Sequence, residues 1–164
     1  MQNKIFNRFL LPLLISICIS TSAHAQSFNQ QEQIVQQPII RLFDALSNSD
    51  TAGLRLYTTR DVKFYEYGQA WPIDTLIHKM LLGNKAADFK RTNSFEFVST
   101  TINKNIAWVT YYLQSTFTRN GKEEIVKWME TVILIKEKKQ WKINTLHSTR
   151  LISNHSQNLN HEEI

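Results

Sequence analysis

Two side chains of the types that move protons lie at the ends of strand-like runs with apolar neighbours. Glu66 closes the series Val62, Phe64, Glu66, and His147 closes Trp141, Ile143, Thr145, His147. Residues two apart on a strand share a face. The companions are mostly apolar in both runs, so both faces are expected to look inward. A carboxylate held beside an imidazole in an apolar pocket can act as a general base with an acid or orienting partner, because desolvation raises the carboxyl pKa and an adjacent charge tunes the ring. The same residues have a plainer use: Glu66 accepting hydrogen bonds from a neighbouring loop, and His147 as a satisfied core or rim residue.

Aromatic residues are the stronger feature. Along Ile106 to Thr118 one face carries Ala107, Val109, Tyr111 and Leu113, and the other carries Ile106, Trp108, Thr110 and Tyr112. Both are largely apolar, so periodicity alone does not choose between them. With the first face taken as inward, Tyr111 joins Phe64 as a pocket residue, and Tyr57, Tyr65 and Trp71 fall near the pocket mouth. Trp108 and Tyr112 then lie on the outer face. With Trp128 they form a candidate interface, since exposed aromatics on a sheet are costly unless covered.

Other chemistries are excluded. His78, His147, His155 and His161 have no histidine or cysteine partner at i+3 or i+4, so no metal site is expected. The glycines Gly53, Gly68, Gly83 and Gly121 are dispersed, which removes any phosphate-cradling loop, and no cofactor is expected. Ser148 beside His147 forms no triad, because adjacent strand residues point to opposite faces.

The elements that must position these residues run helices first, then strands. Ile34, Val35, Pro38, Ile39, Leu42, Phe43 and Leu46 step by three and four as the stripe of an amphipathic helix. Pro38 either kinks this helix or opens its main part. Asp50 is placed to cap a second short helix, residues 61 to 67 alternate as a strand, and Asp74 is placed to cap a third helix closed by Gly83. Four β-rich runs follow, at 94–101, 106–118, 123–136 and 141–152, joined by short connections of which Asn120-Gly121 is the strongest hairpin signal. Runs this long require bulges or strong curvature.

The 164 residues, with 42% hydrophobic side chains and 11% aromatics, suit one globular domain. Lys4 and Arg8, the apolar run Phe9 to Ile19 and the ending Ala23-His24-Ala25 have the layout of a secretory signal peptide cleaved after residue 25. At ~1.5 Å per residue that run is too short to span a ~30 Å bilayer core. Cleavage would remove Cys18, the single cysteine, and with it any disulfide or thiol chemistry. Residues 26–33 read as a flexible lead-in, 34–152 as the domain and 153–164 as a disordered polar tail. The expected location is periplasmic or secreted, with no membrane association after cleavage. The scattered charges form no basic stripe with exposed aromatics, so no nucleic-acid partner is expected.

The order of elements resembles the nuclear transport factor 2-like superfamily. The run 40–50 (IRLFDALSNSD), the strand ending Tyr65-Glu66-Tyr67-Gly68, and the run 141–150 (WKINTLHSTR) resemble its SnoaL-like branch. The resemblance implies an α+β cone: three N-terminal helices packed on a strongly curved antiparallel sheet, with a pocket between sheet and helices. It also implies a frequent homodimer through the sheet, and functions ranging from isomerases, cyclases and dehydratases to ligand-binding proteins. The expectation is an exported protein that binds a small, largely apolar molecule as a homodimer. Its rivals are a cofactor-free isomerase, cyclase or dehydratase using Glu66 and His147, and a protein-interaction module acting through the outer sheet face.

Overall fold

A computed structural model describes residues 19–152. The leader expected over 1–25 lies largely, and the tail expected over 153–164 wholly, outside the described residues. The first helix, α1 (Ile19–Ser47), takes in the glutamine-rich segment 26–33 that reads in the sequence as a flexible lead-in. Its buried stripe holds Val35, Ile39, Leu42, Phe43 and Leu46 as the periodicity gives, but Ile34, expected with them, is exposed. Pro38 lies inside the helix and is itself buried. Ser49 in the left-handed region ends the helix, and Asp50 caps α2 (Thr51–Leu56) by accepting from the Gly53 N–H at 2.9 Å.

Strand β1 (Thr58–Glu66) turns through Tyr67 and Gly68, both at positive φ, into β2 (Gln69–Pro72), a four-residue strand that local periodicity does not announce. The third helix, α3 (Ile73–Gly83), starts directly after Pro72. Asp74 therefore lies in its first turn, where it complements the helix dipole, instead of capping it. Asn84, not Gly83, closes the helix, and its side-chain amide donates to the Leu46 carbonyl at 3.0 Å, tying the end of α3 to the end of α1.

The long strands are β3 (Lys90–Asn103), β4 (Ile106–Arg119), β5 (Lys122–Glu137) and β6 (Gln140–Leu151). Asn120-Gly121 makes the expected tight turn with both residues at positive φ, and Lys138-Lys139 does the same. The Asp88 carboxylate clamps the first of these turns by accepting from the N–H groups of Asn120 and Gly121, each at 2.7 Å. One six-stranded sheet results, in the order β2-β1-β6-β5-β4-β3. It is not wholly antiparallel, as the sequence suggested: β1 pairs with β6 in parallel, through the long excursion of β2, α3 and the meander.

Side-chain direction along this sheet is reset by bulges. In β3 an extra residue, Val98, lies between the pairs Phe97–Tyr111 and Ser99–Thr110. In β6 the extra residue is Asn144, between the pairs Leu134–Ile143 and Ile133–Thr145. Each bulge moves the following side chains of its strand to the opposite face. The inner face, formed by Val109, Tyr111, Leu113, Val132, Leu134, Ile143 and Leu146, packs with the α1 stripe into a single core. The outer face carries Trp108 opposite Ile133 and Tyr112 opposite Met129, all partly exposed.

Candidate functional site

A cavity of about 240 Å³ opens where α1 and α3 meet the inner face of the sheet. Its walls are mainly apolar: Leu42, Phe43 and Leu46 from α1, Phe64 from β1, Trp71 from β2, Leu76 and Met80 from α3, and Leu113, Phe117, Trp128 and Leu146 from the meander. Among them are Glu66, Lys79, Arg91, Arg119 and Glu130. Glu66, Arg91 and Glu130, on inward strand positions, have their pKa values shifted chiefly by burial among mainly apolar neighbours.

Glu130 is 4% exposed. Tyr111 donates its hydroxyl to Glu130 Oε2 at 2.5 Å, and Ser148 donates to Oε1 at 3.0 Å. The three residues are direct cross-strand partners on β4, β5 and β6, so a single row of the sheet builds the network. Burial pushes the Glu130 carboxyl up to about 7 despite the two hydroxyl donors. Burial, with the Glu130 charge second, also holds the Tyr111 hydroxyl well above its ordinary value.

Arg91 occupies β3 beside this row. Its Nε donates to Asn93 Oδ1 at 2.9 Å and its Nη2 to Ser115 Oγ at 3.0 Å, while the guanidinium lies 5.2 Å from the Phe43 ring centre and 4.9 Å from that of Phe117. Burial lowers its pKa to about 10, with Glu130 and Glu66 opposing the shift, so it stays charged at neutral pH. Glu66 has a raised carboxyl pKa, mainly from desolvation, with Arg91 and Lys79 pulling the other way. The wall thus holds two carboxyl groups that protonate readily and three cations. Among the described residues no three His, Cys, Asp or Glu side chains cluster to hold a metal ion.

The sequence placed some of these residues and misplaced others. Glu66, Phe64 and Trp71 line the cavity, whereas Tyr111, expected with them, is wholly buried in the core behind it and reaches the site only through its hydrogen bond to Glu130. His147 does not meet Glu66. The Asn144 bulge sends it to the outer face, opposite Thr131, and puts Leu146 and Ser148 inside. Tyr65 is exposed beside His147, and Tyr57 belongs to a separate groove with Pro38, Leu56 and Trp141. Trp108 and Tyr112 are on the outer face, 41% and 40% exposed. Trp128, expected with them at an interface, is 8% exposed and lines the cavity, because it is the inward partner of Leu113. Missed altogether were Glu130, Arg91, Arg119, Lys79 and Ser148. For Glu130 a signal existed: it is the lone charge in the alternation Val126, Trp128, Glu130, Val132, Leu134.

Comparison with known proteins places this geometry. A family model described as a SnoaL-like domain matches residues 35–152. Among solved structures, a nuclear transport factor 2-like superfamily protein from Salmonella enterica serovar Typhimurium aligns with a TM-score of 0.65 at 14% identity, covering 80% of this chain and 98% of that one. A ketosteroid isomerase-like protein from Erwinia carotovora atroseptica aligns with a TM-score of 0.62 at 15% identity, covering 76% and 99%. The CaMKII hub of S. rosetta aligns at 0.59 and 18% identity, covering 73% and 96%. Likeness at such identities shows the fold alone. No curated protein matches the sequence.

The buried carboxyl generates a pH prediction. A folded-state pKa of about 7 against an ordinary 4.5 means that the folded protein binds this proton more tightly than the unfolded chain. The associated stability is whole below about pH 4.5 and is lost as pH rises through about 7, a change on the order of 3 kcal/mol. Chemical denaturation from pH 4.5 to 8 should therefore show the wild type losing stability relative to Glu130→Gln across that window, with the gap constant above it. Parallel curves would mean that the carboxyl is not held in its neutral form.

Proposed function

We propose, for a chain that belongs to the SnoaL-like domain family of the nuclear transport factor 2-like superfamily, that its cavity binds a small, largely apolar molecule. The fold does not decide the activity, since such folds host unrelated functions, so the reading rests on the site. The observation that carries it is a recess with a mainly aliphatic and aromatic wall and a few polar groups gathered among them, which is the composition of small-molecule sites. A sheet coiled into a cone around the helices would leave such a recess at its wide end. The leader-like segment 1–25 supports export to the periplasm or beyond. Native mass spectrometry of protein purified from its own host, followed by denaturation, should release a stoichiometric small molecule. A protein that carries nothing and gains no thermal stability from a library of small apolar compounds would defeat this reading.

A second reading has its own support, the pair of inward carboxyl groups. Glu66 on the cavity wall is placed as a base, and Glu130, close enough for the Glu66 charge to raise its pKa, as a proton reservoir. A cofactor-free isomerisation, cyclisation or dehydration would use them without His147, which faces the other way. Glu66→Gln should then abolish turnover of the released molecule or its chemical relatives and leave the melting temperature nearly unchanged. Full activity in that variant would end the enzymatic reading.

We also infer a homodimer formed through the outer face, where Trp108, Ile133, Tyr112 and Met129 make an exposed apolar patch across β4 and β5. The likeness to a protein named as a hub agrees with assembly by this fold. Light scattering should give twice the chain mass for the wild type and the chain mass for Trp108→Lys and Tyr112→Lys. Unaltered elution of both variants would show that this face is not the interface.

A further inference from the structure

The charges on the cavity wall do not balance, and the imbalance has a location. Arg91 is engaged by Asn93 and Ser115 and faces both carboxyl groups. Lys79 lies 4.4 Å over the Trp71 ring and acts on Glu66. Arg119 is the third cation. Among the described residues no carboxylate lies within ion-pair distance of any of the three, and the Arg119 guanidinium lies 4.9 Å from the centre of the Phe117 ring and 5.7 Å from that of Phe89, near enough to Arg91 to lower its pKa.

A second observation points to the same corner. Two buried side-chain polar atoms among the described residues have no hydrogen-bond partner, Arg119 Nε and Trp128 Nε1. Both are donors, both belong to residues that line the cavity, and both side chains pack against Phe117, the Trp128 ring at 6.4 Å between centres. Leaving a donor buried and unpaired is unfavourable, more so when the group is charged, so two in one corner mark a place where an acceptor belongs.

We propose that the cavity selects ligands bearing a carboxylate, with the acid group taken by Arg119 and the indole N–H of Trp128 and the apolar body lying against Leu42, Phe64, Trp71 and Met80. The inference rests on the small-molecule reading of the cavity and adds to it the class of molecule. A neutral carbonyl would satisfy the indole but leave the guanidinium uncompensated. A carboxylate matches the planar fork of donors that a guanidinium presents.

Calorimetric titration with 4-phenylbutanoate and its neutral counterpart 4-phenylbutanamide separates charge from shape. The acid should bind the wild-type protein roughly tenfold or more tighter than the amide. Arg119→Met should bring the acid down to the affinity of the amide and leave the amide unchanged, while Arg119→Lys, which keeps the charge without the fork, should retain part of the preference. Trp128→Phe, which keeps the ring and removes the donor, should weaken both compounds together. Equal affinities in the wild type, or an undiminished preference in Arg119→Met, would overturn carboxylate selection and leave the cavity as a site for neutral ligands. Failure of both compounds to bind would overturn this inference, while the small-molecule reading stands or falls on the mass measurement of protein from its own host.

Discussion

One row of the sheet constrains the rest: Tyr111, Glu130 and Ser148, opposite one another on β4, β5 and β6 and joined through the Glu130 carboxyl. A carboxyl buried in an apolar face is tolerated only if its oxygens are paired. Here each oxygen receives one hydroxyl. Because the partners come from three strands, the pairing holds only in one register. A slip of one residue in any of them would turn its contribution outward and leave the acid without a donor, while also exposing the apolar residues on either side. The network therefore does for register what an apolar core alone does less strictly.

The same row sets the chemistry of the cavity. With hydroxyls as its only close donors, Glu130 is not fully neutralised by a cation, and burial raises its pKa into the neutral range. Arg91, clasped by Asn93 and Ser115 and lying against Phe43 and Phe117, is the nearby positive charge that limits this effect. Glu66 feels the same cation from β1. Acid, base and cation thus share a small apolar enclosure in which each charge acts more strongly than it would in water. Arg119 Nε and Trp128 Nε1, among the described residues, remain without an acceptor in the same enclosure.

Two single-residue insertions divide the molecule into an inside and an outside. Val98 in β3 and Asn144 in β6 each shift the alternation of their strand. The second has the larger functional consequence. It turns His147 away from the cavity, puts Leu146 on its wall and Ser148 inward against Glu130, and so replaces the expected carboxylate–imidazole pair with a carboxyl buried under hydroxyls.

The sequence by itself determined whatever is written in local periodicity: the α1 stripe from Val35 to Leu46, the capping of α2 by Asp50, the Asn120-Gly121 hairpin, the four long strands, and the inward direction of Glu66 and Phe64. For the strand from Ile106 both faces are apolar, so only packing against α1 settled that Tyr111 faces inward and Trp108 and Tyr112 outward. Even the carboxyl at 130 was legible as the one charge in an apolar alternation, although nothing local said what would pair with it. Only the tertiary structure decided the parallel joining of β1 to β6, the strand status of the Trp71-Pro72 segment, and the outward turn of His147. It also decided the inward place of Trp128 and the gathering of Arg91, Arg119 and Lys79 around two acids. The physical reason is common to all of these. Alternation along a strand is a local property that an extra residue resets without a trace in composition, whereas the pairing that creates the bulge, and the burial that gives a charge its character, come from strands and helices distant in the chain.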